Sequence, residues 1–417
     1  MDLEFWKAKT YSLRSKIGAI LYSGRTKQVI SGFDEFLPRP VSDTGGEPEK
    51  KALVSYLVHE LTPPPDKRDS CNFSNAGIAQ NIPRALNELG YSVDIVNYNN
   101  RHFIPQKKYD VFIGHAGINF ESIEKRLDPQ CTKIYFSTGI YWKEWNRVDD
   151  ERRMALQKRK GVLLRSDRSI EHDEEYANAH ADGIICLGND HAKQTYHKFP
   201  RVININNAVY PDSYSLSSKD FSKGRNNFLF FNGPGNIHKG LDLLLDAFTQ
   251  LPQHLYVRQT LEPGFFKVYK KELTEYPNIH LVPFLKKPSK EFFSLMNTSN
   301  FVLSPTCAEG QPGSIIECMA HGLIPILSKE ANIDTKDFGI MLQQNSVDEI
   351  MRVVSEVSQK TPDWCQAHAA HTMEEVKQFY SPEYFLACMK NAVQTIVQEK
   401  NTAAREEISG PDHERLF

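Results

Sequence analysis

The chain has 417 residues, 40% of them hydrophobic and 24% charged, with a formal net charge of −2. That length suits two domains of roughly 150–200 residues each, and the near-neutral balance offers no field for nucleic acid or an acidic polymer. No apolar run approaches the ~20 residues of a membrane span. The seven cysteines, Cys71, Cys131, Cys186, Cys307, Cys318, Cys365 and Cys388, form no C-x-x-C pair and no zinc spacing. They read as reduced thiols in a cytosolic protein. The opening MDLEFWKAKTYSLRSK lacks the apolar stretch of a signal peptide, which adds to that expectation.

Residues 1–50 read as an N-terminal extension. LRSKIGAILYSGRTK has the pattern of a short amphipathic helix with cationic flanks. It is either packed on a domain surface or a foot on the inner membrane face. VSDTGGEPEKK is a linker by composition. From residue 51 the signals alternate. ALVSYLVHEL is a buried strand, and SNAGIAQNIPRALNELG is a loop and then a helix capped at Gly90. YSVDIVNY, YDVFIGHAG, TKIYFSTG and the GIICLG that follows EEYANAHAD are further strands. The segment Lys143–Arg168 has nine Lys/Arg and five Asp/Glu and reads as a solvated helix of mixed charge, its basic excess open to an anionic acceptor or a membrane. RVININNAVYPDSY closes a first domain at 51–214, and the polar SLSSKDFSKGRNN (215–227) is a linker.

The rhythm then restarts over 228–361. NNFLFFNG, HLYVRQ, NIHLVPFL, NFVLSPT and LIPILS are strands with helical patterns between them. Two long helices follow over 362–397, and a polar tail that frays over 398–417. The whole is α/β: two tandem βα domains, each with a parallel sheet covered on both faces.

Open parallel sheets hold ligands beyond the carboxyl ends of their strands. In FLFFNGPGNIHKGLDLLL a strand runs into Gly233-Pro234-Gly235, and Lys239 stands at the next helix start. Glycines admit backbone amides to an anion, and a helix N-terminus and a lysine add positive charge. This is a seat for a diphosphate, with a plain tight turn as the alternative. Neither the P-loop spacing nor a complete dinucleotide fingerprint is present. In NFVLSPTCAEGQPGSIIE, amides of Gly313, Ser314 and Ile315 open a helix and can hold phosphate oxygens. Glu309 before them and Glu317 within the helix can each accept both hydroxyls of a vicinal diol. Either glutamate alone reads as a solvated residue. Together they flank an anion seat as a nucleotide sugar requires. In the first domain, SNAGIAQN, His115 and Ser137-Thr138-Gly139 lie at strand ends facing the cleft, where a histidine serves either structure or chemistry.

These residues resemble the retaining, nucleotide-sugar-dependent glycosyltransferases with two Rossmann-like domains facing across a cleft, the GT-B architecture. The resemblance covers about 52–395. EGQPGSIIE is similar to that family's two-glutamate signature, with seven residues between the glutamates. The resemblance implies that Glu309 contacts donor-sugar hydroxyls, that Glu317 contacts the ribose, and that Gly313, Ser314 and Ile315 hold the diphosphate. NGPGNIHKGLDLLLDAF resembles the family's Gly-Arg…Lys-Gly segment, which puts Gly233, Gly235 and Lys239 on the diphosphate. NNAVYPDSY resembles the asparagine turn entering the linker, and the closing helices resemble those that cross back to the first domain.

Two positions depart. Pro234 stands where the family has an arginine, so His238, Arg258 or a first-domain residue must supply the missing cation, or donor binding is weak. Ser137 or Thr138 stands where many members have a histidine, and His115 is the substitute expected to act in catalysis. The expectation is a retaining hexosyl-type transfer to a glycan, lipid-linked or other hydroxyl acceptor. It needs no cofactor and no metal, because Lys239 and the helix N-terminus stabilise the leaving diphosphate. The alternatives are an inactive nucleotide-sugar-binding partner subunit, a GT-B epimerase or phosphorylase, and a nicotinamide dehydrogenase.

Overall fold

A computed structural model of the chain describes residues 29–36, 50–61, 74–210, 214–258, 260–285, 287 and 289–409. The basic N-terminal segment with its membrane-foot reading, most of the first linker and the end of the tail lie outside the described residues. The first half builds a sheet from β1 (Val29–Phe33), β2 (Lys50–Tyr56), β3 (Tyr91–Asn97), β4 (Val111–His115), β5 (Thr132–Ser137), β6 (Gly183–Leu187) and β7 (Val202–Ile205). Their order is β1-β3-β2-β4-β5-β6-β7. All neighbours run parallel except β1, which pairs antiparallel with β3. β5 is buried along its whole length, as a central parallel strand covered on both faces must be. The edge strand β1 carries no such apolar run and was not expected; Asp94 fastens it by accepting from the Gly32 amide at 3.0 Å.

The second half builds a fully parallel sheet from β8 (Asn227–Phe231), β9 (His254–Arg258), β10 (Ile279–Leu281), β11 (Phe301–Ser304), β12 (Ile324–Ser328) and β13 (Ile340–Leu342). The order is β10-β9-β8-β11-β12-β13. Strand order reverses between β8 and β11, and in the first sheet between β2 and β4. The loops leaving these strands diverge there and open a crevice.

Eight helices of the described residues run eight residues or more: α1 (Ser74–Glu88), α2 (Trp142–Lys160), α3 (Leu241–Phe248), α4 (Lys290–Thr298), α5 (Gly313–Ala320), α6 (Val347–Val357), α7 (Pro362–Phe379) and α8 (Pro382–Ser409). Helix α1 already begins at Ser74, so 74–81 is its first two turns rather than a loop. Gly90 follows it at φ 89°, the left-handed turn that glycine takes without penalty. Helix α7 packs on the second half through Cys365, Ala369 and Val376, and α8 returns to the first sheet through Phe385, Met389, Val393 and Ile396. The crossing is therefore as expected. Helix α8 runs on to Ser409, through residues read as a frayed tail, and Lys400 holds it with a 2.8 Å bond to Asp182.

Residues 215–227 are not a free linker. Lys219 is buried there and donates to the Met296 carbonyl at 2.8 Å and the Ser299 carbonyl at 2.7 Å. Among the described residues, no helix is long and apolar enough to cross a membrane.

Candidate active site

The loop from β8 to α3 and the loop from β11 to α5 both leave the second sheet at its switch point. They bring Lys239 and Glu309 into a buried ion pair. Local geometry explains the approach. Gly240, at φ 80°, N-caps α3, and a Cβ there would stand 2.4 Å from the Pro305 carbonyl oxygen. Only glycine lets the two loops close to this distance. The Cys307 amide then donates to the His238 carbonyl at 2.9 Å, tying the loops together. Burial and the nearby Arg168 push the Lys239 pKa well below the ordinary lysine range. The Cys307 thiol opposes that shift.

The loop carrying Glu309 is pinned by Gln311, a non-glycine residue at φ 69°. Its side chain accepts from the Asn207 amide at 2.7 Å and donates to Asn206 Oδ1 at 2.8 Å and the Asn332 carbonyl at 2.9 Å. Its own carbonyl accepts from Asn207 Nδ2 at 2.9 Å. The asparagine turn thus positions the signature loop; only the turn's likeness to the family's own hinted at this. Asn332 donates to the Glu309 carbonyl at 2.6 Å from the other side.

Glu317 projects from the second turn of α5 and pairs with Lys287. Lys287 in turn lies over the Phe231 ring, 4.9 Å from its centroid. Gly313 and Ser314 are partly exposed at the α5 N-terminus, where Pro312 offers no side-chain cap. The Ile315 amide is taken: it donates to the Pro312 carbonyl at 3.0 Å within the first turn. Of the three amides expected to be free, the helix keeps that one for itself.

The Gly-Pro-Gly loop departs further from expectation. The Gly235 amide donates to Glu262 Oε1 at 2.7 Å, and the Asn236 amide donates to Glu262 Oε2 at 3.1 Å. The chain's own carboxylate therefore occupies amides read as a phosphate seat. Burial raises the Glu262 pKa to about 7, against these amide bonds. A Cβ at Gly233 would meet nothing within 4 Å, so that side of the loop is open.

Two first-half elements close on this group. Thr138 lies against Gly310, where a Cβ would stand 2.1 Å from the Thr138 carbonyl oxygen. Helix α2, expected as a solvated helix, instead docks on the second half. Trp145, Asp149, Arg152 and Leu156 are its buried face, at the i, i+4, i+7, i+11 spacing of one helical stripe. Trp145 stacks on the His238 ring at 4.7 Å, and Arg152 donates to the Pro305 carbonyl at 3.0 Å. His238 Nδ1 meets Asp149 at 2.8 Å and its Nε2 meets the Ala308 carbonyl at 2.7 Å. Burial pulls the His238 pKa down to about 4 while Asp149 opposes it. Both ring nitrogens of His238 are thus committed to oxygen partners within the site. That stripe was the sequence signal for α2, and the charged residues within and around it obscured it.

His115 contacts Tyr56, Tyr98 and Phe136 rather than the Lys239–Glu309 pair. Its Nδ1 lies 2.9 Å from the Phe136 carbonyl, which only accepts, so Nδ1 carries the proton and Nε2 its lone pair. Burial lowers its pKa and keeps the ring neutral at pH 7. Beyond it, Arg165, Ser166, Asp167, Ser169, Glu171 and His172 line an open cleft of about 440 Å³.

Comparison of the sequence with protein-family models and with curated proteins finds no match. Among solved structures, the chain is similar to sucrose-phosphate synthase from Thermosynechococcus elongatus, with a TM-score of 0.55 and 12% identity over 87% of this chain and 100% of that one. It is also similar to α,α-trehalose 6-phosphate synthase from Burkholderia multivorans, with a TM-score of 0.57 and 10% identity over 85% of this chain and 99% of that one. Both neighbours are glycosyltransferases of the GT-B architecture, and the chain has their fold.

Proposed function

We propose that the chain is a glycosyltransferase that moves a sugar from a nucleoside-diphosphate sugar to an acceptor hydroxyl, with retention at the anomeric carbon. The observation that carries this reading is the Lys239–Glu309 pair, assembled from two loops at the switch point of the second sheet. The GT-B fold of the neighbours supports it. In this reading Lys239 and the open amides of Gly313 and Ser314 hold the diphosphate and offset its growing charge. Those groups carry the reading without a call for a divalent cation. Glu309 turns to the sugar hydroxyls, and Glu317 leaves Lys287 to accept the ribose hydroxyls. His115 Nε2, neutral and unprotonated, accepts from a sugar or acceptor hydroxyl entering from the first-half cleft. The acceptor oxygen bonds to the anomeric carbon on the face the diphosphate leaves. The C1–O bond breaks, and the hydroxyl proton passes to the leaving phosphate oxygen.

Thermal unfolding of the wild type and of Glu317→Ala with UDP, GDP, ADP, dTDP and NAD tests the reading. A ligand at 100 times its Kd adds about 2.7 kcal/mol to the wild type. One nucleoside diphosphate is expected to stabilise the wild type and much less the variant. Stabilisation by NAD alone, or by none of the five, overturns the proposal.

A further inference from the structure

The β8–α3 loop carries Pro234 where an arginine was expected, which leaves its charge to Lys239 and His238. His238 is committed to Asp149 and the Ala308 carbonyl. Arg258 lies between the rings of Phe231 and Phe284, at 4.9 and 4.8 Å, and Phe231 is the ring that Lys287 also covers. It therefore stands on the Glu317 side of the site. A different arginine reaches the Lys239 side, and it comes from the other half of the chain.

We propose that Arg168, on the segment after α2, is the second phosphate-binding cation of this site. Its stem lies on Gly235: a Cβ there would stand 2.5 Å from Arg168 Cγ and 2.9 Å from Cδ, so the glycine is what admits it. The guanidinium sits over the Trp145 ring, 5.2 Å from its centroid. Trp145 Nε1 donates to the Arg168 carbonyl at 2.7 Å, and Ser166 Oγ accepts from the Arg168 amide at 3.0 Å. Backbone and stem are thus fixed, yet Arg168 Nε is buried with no hydrogen-bond partner. A buried guanidinium donor left unpaired is costly and is uncommon in a settled structure.

The charges around it point to an anion. Arg168 and Lys239 are close enough for the arginine to depress the lysine's pKa, a like-charge contact that a bound anion between them would relieve. Glu262, within electrostatic reach of Arg168, already places a carboxylate on the Gly235 and Asn236 amides. That point of the loop accepts anionic oxygen. A diphosphate gains from Arg168 a planar donor fork that Lys239 lacks. Trp145 belongs to α2, so the same contact makes phosphate binding depend on how the two halves are docked.

This inference rests on the donor-site reading, and the test separates the two. Arg168→Gln keeps the stem on Gly235 and removes the charge; Arg258→Gln is the comparison, and melting curves of both check folding. Titration calorimetry measures pyrophosphate, the four nucleoside diphosphates, and the matching monophosphates and nucleosides. Arg168→Gln is expected to weaken the preferred diphosphate and pyrophosphate at least tenfold, with nucleoside affinity within twofold of wild type. Arg168→Lys should recover part of the loss. Equal diphosphate affinity in wild type and Arg168→Gln overturns the inference and leaves the donor reading standing. So does a nucleoside loss as large as the diphosphate loss. Binding of pyrophosphate, sensitive to Arg168, with no nucleotide binding would sink the donor reading and keep the anion seat. A wild type that binds neither overturns both.

Discussion

At the scale of single residues, the site is a set of buried charges. Lys239 and Glu309 are each less than a tenth exposed, so neither would remain charged there without the other. Glu262 shows the same economy with a different partner: backbone amides stand in for a cation. Its pKa, raised by burial to about 7, has two consequences. For folding, a carboxyl raised above its unfolded value favours the native state below about pH 4.5 and loses that contribution as pH climbs through 7. For binding, its ionised form competes with phosphate for the Gly235 and Asn236 amides, and its protonated form does so weakly. Diphosphate affinity in the wild type should therefore tighten several-fold as pH falls from 8 to 6. Glu262→Gln should flatten that slope and gain on the order of 2 kcal/mol of stability at pH 8, with no gain at pH 4. Calorimetric Kd and urea midpoints at those pH values measure both, and comparison with the variant cancels the nucleotide's own titration. An unchanged slope in Glu262→Gln would remove Glu262 from the seat.

At the scale of elements, helix α2 joins the halves. Arg159 pairs with Asp242, which is fully buried, and reaches Asp246 at 3.1 Å, while Lys160 reaches Asp246 at 2.8 Å. Burial pushes the Asp242 carboxyl pKa up, and Arg152 and Arg159 oppose it. Removing Arg159 leaves that carboxylate enclosed with less compensation. Arg159→Ala should cost about 2–3 kcal/mol, at or just below the about 3–5 kcal/mol of a fully buried broken pair because Arg159 is itself 28% exposed. Arg147→Ala removes an arginine of the same helix that is 53% exposed and should cost at most about 1 kcal/mol. Equal urea midpoints for the two variants would return α2 to a solvated role. The parallel strands were legible because burial on both faces writes a continuous apolar run, as in β5 and β8. α2 was not, because its buried stripe mixes Trp145 and Leu156 with Asp149 and Arg152, and partners more than 80 residues away decide whether such a stripe is solvated. β1 escaped for a related reason: an edge strand needs backbone bonds and writes little hydrophobic pattern.

At the scale of the whole molecule, the positions of the two glutamates, one on the loop after β11 and one in α5, were legible because strand and helix signals flank them. Their partners were not. Lys287 and Arg168 meet the motif only through tertiary approach, as do Asn206, Asn207 and Asn332, which Gln311 within it grips, and sequence spacing carries no trace of it. The same approach fixes how closely the halves stand. Gly310, next to Glu309, faces the Thr138 carbonyl and Gly139 Cα, at 2.1 and 2.7 Å from where a Cβ would lie. Both obstacles are backbone, which cannot rotate aside as a side chain can. Gly310→Ala must therefore move the Glu309 loop or open the cleft, and either change separates the second half from the first-half residues Thr138 and Arg168. The expected result is a sugar-transfer rate at least tenfold lower, a lower melting temperature and a larger radius of gyration by solution scattering. Gly264→Ala is the control for the substitution itself: it lies in the helix Pro263–Val268, and a Cβ there meets Leu164 at an ordinary 3.4 Å. If Gly310→Ala matches that control in size and stability, the halves do not stand this close in solution. Arg168 would then reach the β8–α3 loop only after ligand closes the cleft, and its contribution would appear in the diphosphate complex alone.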